Sequence, residues 1–130
     1  MLGITDCLLS GTTTVNDIGL VHGTDALAQA VLDSGIRGTL GHCLMDSGDT
    51  VPRNLKQSTP EALQLAEQVT WSKESDRITA SLCPRFILSC SEDLWRGCLD
   101  IHYRHGYPIH THLLESPEEF QMVHAALGRG

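Results

Sequence analysis

Basic residues are scarce in this sequence. Nine lysines and arginines stand against sixteen aspartates and glutamates, which gives a formal net charge of -7, and the basic side chains are scattered along the chain. Proteins that bind nucleic acid cluster positive charge on one face, because that face must neutralise phosphates. The composition therefore argues against a nucleic-acid partner.

Long apolar runs are missing as well. A helix that crosses a membrane needs about 20 consecutive apolar residues, and the sequence has no such run. Residues 1–10 also lack the basic start and the long apolar core of a secretory signal peptide. We therefore expect a chain without a membrane partner.

Cysteine spacing that would indicate a metal centre or a disulfide framework is also absent. The sequence has five cysteines, an odd number, and no Cys-x-x-Cys pair. Such an arrangement favours reduced thiols that pack as small apolar side chains, as in cytoplasmic proteins, over a set of disulfides. We expect a cytoplasmic location. A zinc–thiolate site at Cys83 and Cys90 is the less favoured alternative.

Segments typical of strands and of helices alternate along the chain. The 130 residues are 41% hydrophobic, which is enough for one compact domain with its own core. Runs rich in β-branched residues predict strands, and apolar residues three or four positions apart predict helices. The predicted strands are 12–18, 36–44, 77–83 and 107–113; the predicted helices are 1–10, 24–34 (capped by Thr24), 59–71 (capped by Thr59), one from about 89–91 to Gly106, and 117–127.

This alternation is typical of right-handed βα units that build a parallel sheet. Two α/β architectures fit the four legible units: a small open doubly wound sheet, or part of a (β/α)8 barrel, which takes about 250 residues when complete. A phosphate-binding doubly wound domain is less favoured, because Gly11 and Gly19 flank the first strand without the spacing of a phosphate-binding loop. A partial barrel would leave two open sheet edges, through which copies of the chain could associate.

The segment 107–119 contains the strongest candidate site. Residues two apart in a strand point to the same side, so His110 and His112 are predicted to share one face of a short buried strand, with Glu115 at its carboxyl end. Ligands of parallel α/β folds bind at that end of the strands. Neutral imidazoles bind metals, and a carboxylate can transfer a proton. The alternative is one histidine buried in the core and one solvated.

The start of a helix follows immediately. Ser116 is a good N-cap, Pro117 suits the first helical position, and Glu119 completes the pattern of a capping box. The strand is therefore expected to deliver its polar side chains to the edge of the sheet where a helix begins.

Four stretches of sequence carry a family resemblance. In chain order, SGTTTVNDIG, GIRGTLGHCLMDSGDTVPRNL, CPRFILSCSEDL and PIHTHLLESPEEF resemble the amidohydrolase superfamily, in its zinc-dependent branch of heterocycle deaminases and hydrolases. That branch includes guanine deaminase, S-adenosylhomocysteine deaminase and the triazine hydrolases. The resemblance implies that residues 1–130 are a fragment of a metal-dependent barrel, a partial (β/α)8 TIM barrel of about four βα units that match the family's strands two to five.

The resemblance also implies roles for individual residues. His112 matches a ligand of a single divalent metal, zinc in the family with iron as the alternative, and Glu115 matches the glutamate that moves protons between the metal-bound water and the substrate ring. Arg85 and Phe86 match the pair that holds the carbonyl group of a small heterocyclic substrate and packs on its ring. His110 is expected to pack inside the barrel or to support the site without binding the metal itself. A surface salt bridge is the alternative for Arg85.

The other family ligands, on the first, sixth and eighth barrel strands, fall outside this sequence. A catalytic zinc takes about three protein ligands, and the resemblance supplies one. We therefore expect the isolated chain to bind zinc poorly and to turn over little substrate. The second hypothesis is a non-catalytic α/β fragment or interaction module that keeps only the family fold. His22 and Asp46, at predicted strand ends, are expected to structure loops.

Overall fold

The computed structural model describes residues 2–73 and 75–128 of the chain. Helices and strands alternate through most of this part, as the sequence predicted. The helices are α1 (Leu2–Leu9), α2 (Thr24–Ser34), α3 (Thr59–Glu67), α4 (Glu92–His105) and α5 (Pro117–Leu127). The strands are β1 (Thr14–Asp17), β2 (Arg37–Leu40), β3 (Cys43–Leu44), β4 (Ile78–Ala80) and β5 (Cys83–Pro84).

Every strand pair in the described residues is parallel, so the predicted α/β class with a parallel sheet is confirmed. β1 pairs with β2 and β2 with β4, while β3 pairs with β5. Each predicted strand 36–44 and 77–83 is therefore two short strands in succession. The ladder is interrupted where two backbones come very close: a Cβ at Gly41 would lie 2.2 Å from the carbonyl oxygen of Ser81.

The predicted buried strand 107–113 is wrong in extent and in burial. It makes one parallel bridge, between Leu82 and Ile109, in which the Leu82 amide donates to Pro108 O and the His110 amide donates to Leu82 O, both at 2.8 Å. Ile109 is only partly buried, and Leu113 is 71% exposed. In the described residues this segment has a neighbour on one side alone, so its apolar alternation does not produce burial.

Two apolar clusters hold the layers together. The first lies between β2 and β4 and the helix α2, with Val31, Ile36 and Leu40 almost fully buried. The second fixes α3 and α4 against β3 and β5, through residues such as Leu44 and Leu94. Each such side chain contributes about 1.5–3 kcal/mol by leaving water. The carboxyl ends of the strands are thereby set at a fixed distance from the helices that follow them.

Helix ends follow local capping chemistry, with two corrections to the predicted caps. Ser58, rather than Thr59, caps α3: its hydroxyl accepts the Glu61 amide and its own amide donates to the Glu61 carboxylate at 3.0 Å. Thr24 does not cap α2; it is fully buried and its hydroxyl donates to Leu20 O at 2.7 Å. α3 also ends at Glu67, earlier than predicted, and a separate 3-10 turn contains Trp71.

Within the described residues, no helix has both the length and the apolar character required to cross a membrane.

Because several thiols are buried, the free energy of unfolding is expected to decrease as the pH becomes alkaline. All five cysteines are free thiols, and burial raises the pKa of Cys83 to about 11 and that of Cys98 to about 12, from 9.0. The folded state thus holds these protons more tightly than the unfolded chain. Their contribution is complete below pH 9 and is lost as the pH rises through 11 and 12, on the order of 3 kcal/mol for Cys83.

We expect the free energy of unfolding, measured by urea titration with circular dichroism, to fall between pH 9 and pH 12, in the window set by these pKa values. Cys98→Ala should flatten this fall. Cys7→Ala should leave it unchanged, because Cys7 is only half-buried. Equal pH slopes for the two variants would contradict the assignment of the effect to Cys98.

Candidate functional site

Four side chains line one small cavity of about 170 Å³: Arg85, Phe86, His112 and Glu115. Arg85 and Phe86 directly follow β5, whereas His112 and Glu115 lie between the Leu82–Ile109 bridge and α5. The cavity is therefore at the carboxyl ends of the parallel strands, the usual ligand site of such sheets. The residues singled out in the sequence form two pairs about 27 positions apart in the chain, and the fold brings these pairs together.

The carbonyl oxygen of Arg85 orients His112. It accepts hydrogen bonds from the His112 amide at 2.9 Å and from the Thr111 hydroxyl at 3.1 Å, and the His112 Nδ1 atom lies 3.1 Å away. Because a carbonyl oxygen only accepts, Nδ1 must carry the proton in this contact. The Nε2 atom of a neutral ring then keeps its lone pair, which is the form that binds metals.

A strained turn places Glu115. Leu114 is the one non-glycine residue with positive φ in the described part of the chain, at 53°, a conformation that costs roughly 1–2 kcal/mol. The next amide, that of Glu115, donates to Glu119 Oε2 at 2.7 Å. Glu119 is itself 8% exposed, so a buried carboxylate holds the turn in place.

This bond corrects the predicted capping box. Ser116 caps α5 as expected, since its hydroxyl accepts the Glu119 amide at 3.1 Å. The Glu119 side chain, however, reaches the amide of Glu115 and not that of Ser116. Glu119 is thus a site residue that the sequence pattern identified only as a helix cap. The spacing from Ser116 was the available signal, but it could not show that the carboxylate reaches one residue further back.

The guanidinium of Arg85 is exposed and lies beside an aromatic ring. Its Cζ atom is 5.4 Å from the centre of the Phe86 ring, and Nη1 is 3.6 Å from Met45 Sδ. In the described residues no carboxylate forms an ion pair with it. The alternative of a surface salt bridge therefore finds no partner in this part of the chain, and donors of Arg85 remain free to bind a ligand in the cavity.

Three other polar residues from the sequence analysis do not line this cavity. His110 is half-buried, and its Nδ1 has no hydrogen-bond partner among the described residues. His22 donates from Nε2 to the carbonyl oxygen of Asn54 at 3.0 Å if that nitrogen carries the proton, which ties two loops together.

Asp46 ties the loop after β3 to the starts of two helices. It accepts the Thr59 hydroxyl at 2.6 Å, the Ser91 amide at 2.7 Å and the Ser91 hydroxyl at 2.5 Å. Three accepted hydrogen bonds leave the carboxylate with a structural task. Its position at a strand end therefore fixes loops, as predicted.

The described residues supply a side chain for one ligand position of a metal site. In its neutral form His112 carries the proton on Nδ1 and offers Nε2, which is suitable ligand chemistry. No group of three or more His, Cys, Asp or Glu side chains in residues 2–73 and 75–128 is arranged to hold a metal ion. A catalytic zinc takes about three protein ligands. The described residues therefore supply a ligand and not a complete centre.

Comparison with known proteins places the chain in a family. The sequence model of the Amidohydrolase family matches residues 1–130. Guanine deaminase of Mus musculus is 33% identical over 121 residues, which cover 89% of this chain and 26% of the relative. The 5-methylthioadenosine/S-adenosylhomocysteine deaminase of Halothermothrix orenii is 30% identical over 123 residues, which cover 94% of this chain and 26% of the relative.

A solved structure agrees with these sequence matches. The crystal structure of guanine deaminase from C. acetobutylicum, with guanine bound in its active site, superimposes with a TM-score of 0.91 at 27% identity. The match covers 98% of this chain and 31% of that one. The chain thus spans about a quarter to a third of the length of these relatives.

Proposed function

Because the chain belongs to the amidohydrolase family, we propose that it forms part of a metal-dependent hydrolase of carbon–nitrogen bonds, and within that class of a deaminase of purine-like or related heterocycles. The observation that carries the proposal is the single cavity lined by Arg85, Phe86, His112 and Glu115. The deaminase relatives favour this chemistry over other hydrolytic reactions of the family.

The cavity residues suit three tasks on a small aromatic ring. Phe86 offers an aromatic face for stacking. The guanidinium of Arg85, beside that face, donates hydrogen bonds to a ring carbonyl oxygen. The Glu115 carboxylate would accept a proton from the attacking water and return it to a ring nitrogen, and the second proton of that water would let the amino group leave as ammonia, a general acid–base role.

His112 would hold a divalent metal through Nε2, with zinc as our proposal and iron as the alternative. When bound, such a metal lowers the pKa of a water molecule toward neutrality. The role of this chain is to fix the imidazole through Arg85 O and to keep Glu115 at the same cavity. The remaining ligands would come from parts of a complete barrel that the described residues do not include.

We further propose that residues 1–130 are a fragment of such a barrel domain and are inactive alone. A second candidate is a non-catalytic α/β module that retains the family fold. It is favoured by one observation: the described residues do not form a group of three metal-binding side chains. Association of copies through open sheet edges stays a prediction. β1 offers such an edge, because it pairs on one side only in the described residues.

A chimera tests the proposed function directly. Residues 1–130 replace the matching segment of the C. acetobutylicum guanine deaminase, and ammonia release from guanine is measured with added zinc. We expect deamination by the chimera and none by the isolated chain. In the chimera, Arg85→Ala should raise KM at least tenfold, because the ring loses its carbonyl partner. A control change at the exposed Asp33, to Asn, should leave KM unchanged.

A folded chimera with a normal circular-dichroism spectrum and no deamination would favour the non-catalytic module. Should the chimera fail to fold, binding of guanine to the isolated chain decides the matter by calorimetry. Binding that Arg85→Ala and Phe86→Ala both weaken supports the proposal. An affinity for guanine that neither substitution changes contradicts the proposal.

A further inference from the structure

A second and larger cavity adjoins the first. It has a volume of about 570 Å³, against about 170 Å³ for the small one, and the two share Phe86 and Glu115. Its other walls come from the loop after β3, at residues 48–50, and from the start of α5. A molecule whose ring stacks on Phe86 in the small cavity can therefore extend a substituent into the large one.

The lining of the large cavity combines an apolar surface with carboxylates. Phe86, Leu88 and Met122 supply the apolar surface. Asp49 and Glu118 are exposed carboxylates on the same cavity. No Lys, Arg or His side chain of the described residues lines it. Two cations lie just outside the lining: Arg85 is in the small cavity beside Phe86, and Lys56 Nζ donates to Gly48 O at 3.4 Å. The carboxylates of the lining itself repel an anionic substituent and attract a cationic one.

Glu119 adds a specific acceptor to this general charge. It lines the cavity and is 8% exposed. Its Oε2 atom accepts the Glu115 amide, but Oε1 is buried and accepts no hydrogen bond from the described residues. A buried carboxylate oxygen without a donor is costly. A ligand that carries N–H groups would supply that donor.

We propose that the large cavity is the substituent pocket of the substrate, and that it selects a short apolar chain ending in an ammonium or guanidinium group. This inference rests on the proposed function, because the ring is assigned to the cavity of Arg85 and Phe86. Glu119 binds the cationic end through Oε1, while Leu88 and Met122 pack against the chain. Heterocycles with a carboxylate-bearing substituent are rejected.

Three compounds with one ring test the selection. Dissociation constants of 9-(3-aminopropyl)guanine, 9-propylguanine and 9-(2-carboxyethyl)guanine are measured by calorimetry on the whole chain at low ionic strength. We expect the aminopropyl compound to bind at least tenfold more tightly than the carboxyethyl compound, with the propyl compound between them.

Matched variants separate the pocket from the overall charge of -7, which attracts any cation. Glu119→Gln keeps an oxygen that can accept the Glu115 amide and removes the charge, and it should reduce the affinity ratio at least threefold. Asp33→Asn makes the same change of charge on the exposed part of α2 and should leave the ratio as it is. Thermal unfolding confirms that both variants fold.

The outcomes distinguish this inference from the proposed function. Equal affinities for the three compounds, all weakened by Arg85→Ala, overturn the substituent pocket and leave the ring site intact. An affinity ratio that Asp33→Asn reduces as much as Glu119→Gln also overturns it, because the selection would then be long-range. No binding of any compound, or binding that Arg85→Ala does not change, overturns the assignment of the ring to Arg85 and Phe86 and this inference with it, while deamination by the chimera still decides the proposed function.

Discussion

Replacing Gly19 by alanine is expected to abolish folding of the chain. A Cβ at this position would lie 1.8 Å from the carbonyl oxygen of Gly41, and the backbone has φ +74°, where side chains are strained. Neither partner of the clash is a flexible side-chain end, so the backbone after β1 or between β2 and β3 has to move. We expect a loss of more than about 4 kcal/mol, comparable to the whole stability of a small domain, measured by urea unfolding and circular dichroism.

Gly106→Ala is the matched control. Gly106 has φ +73°, almost the same backbone conformation, and nothing lies within 4 Å of an added Cβ. This substitution carries the strain of the left-handed conformation without the clash, and should cost about 1–2 kcal/mol. Equal losses at the two glycines would show that conformational strain, and not the close approach to Gly41, explains the effect.

The close contacts at Gly19 and Gly41 also explain which parts of the fold the sequence could predict. α5 was predicted with its observed bounds, because apolar spacing and a capping serine are local, and α2 with its observed end before Gly35, although its predicted cap was wrong. The breaks in strands 36–44 and 77–83 were not predicted, since they depend on which backbone lies opposite. The contact of Gly41 with Ser81 joins positions forty residues apart, and no local pattern records it.

The burial of the segment 107–113 failed for a related reason. Alternation of apolar and polar residues predicts which side chains share a face, but burial requires a neighbour to cover that face. Ile109 has one in Leu82, whereas Leu113 and Leu114 are 71% and 50% exposed. The sequence predicted the element and its direction, while the extent of its burial depends on contacts outside it.

For the cavity, the sequence identified the side chains, whereas the fold determined the tautomer of His112 and the position of Glu115. Resemblance singled out Arg85, Phe86, His112 and Glu115, and all four line one cavity. The proton on His112 Nδ1 follows from a tertiary contact with Arg85 O at 3.1 Å, and the position of Glu115 follows from the turn at Leu114 and from the hydrogen bond of its amide to Glu119 at 2.7 Å. Residue type can suggest a ligand or an acid, but its tautomer and position are set by groups elsewhere in the chain.

Glu115→Gln is expected to remove most of the activity of the chimera with C. acetobutylicum guanine deaminase. The carboxamide keeps the shape and the backbone bond to Glu119, but it cannot accept and return a proton. General acid–base catalysis contributes about 10²–10⁴-fold to such reactions, so kcat for ammonia release should fall by that factor while KM stays within threefold. Glu115→Asp should restore part of the rate, because the group that transfers the proton is present again.

Glu92→Gln is the control for this change. Glu92 is exposed on α4 and pairs with Arg96, away from both cavities, and its substitution should leave kcat within threefold. If Glu115→Gln retained full activity, the cavity would hold a ring-stacking side chain, a hydrogen-bond donor and one imidazole, with no group to move the proton. Proton transfer would then have to come from elsewhere in the chimera, and the 130 residues would contribute binding without the acid–base step.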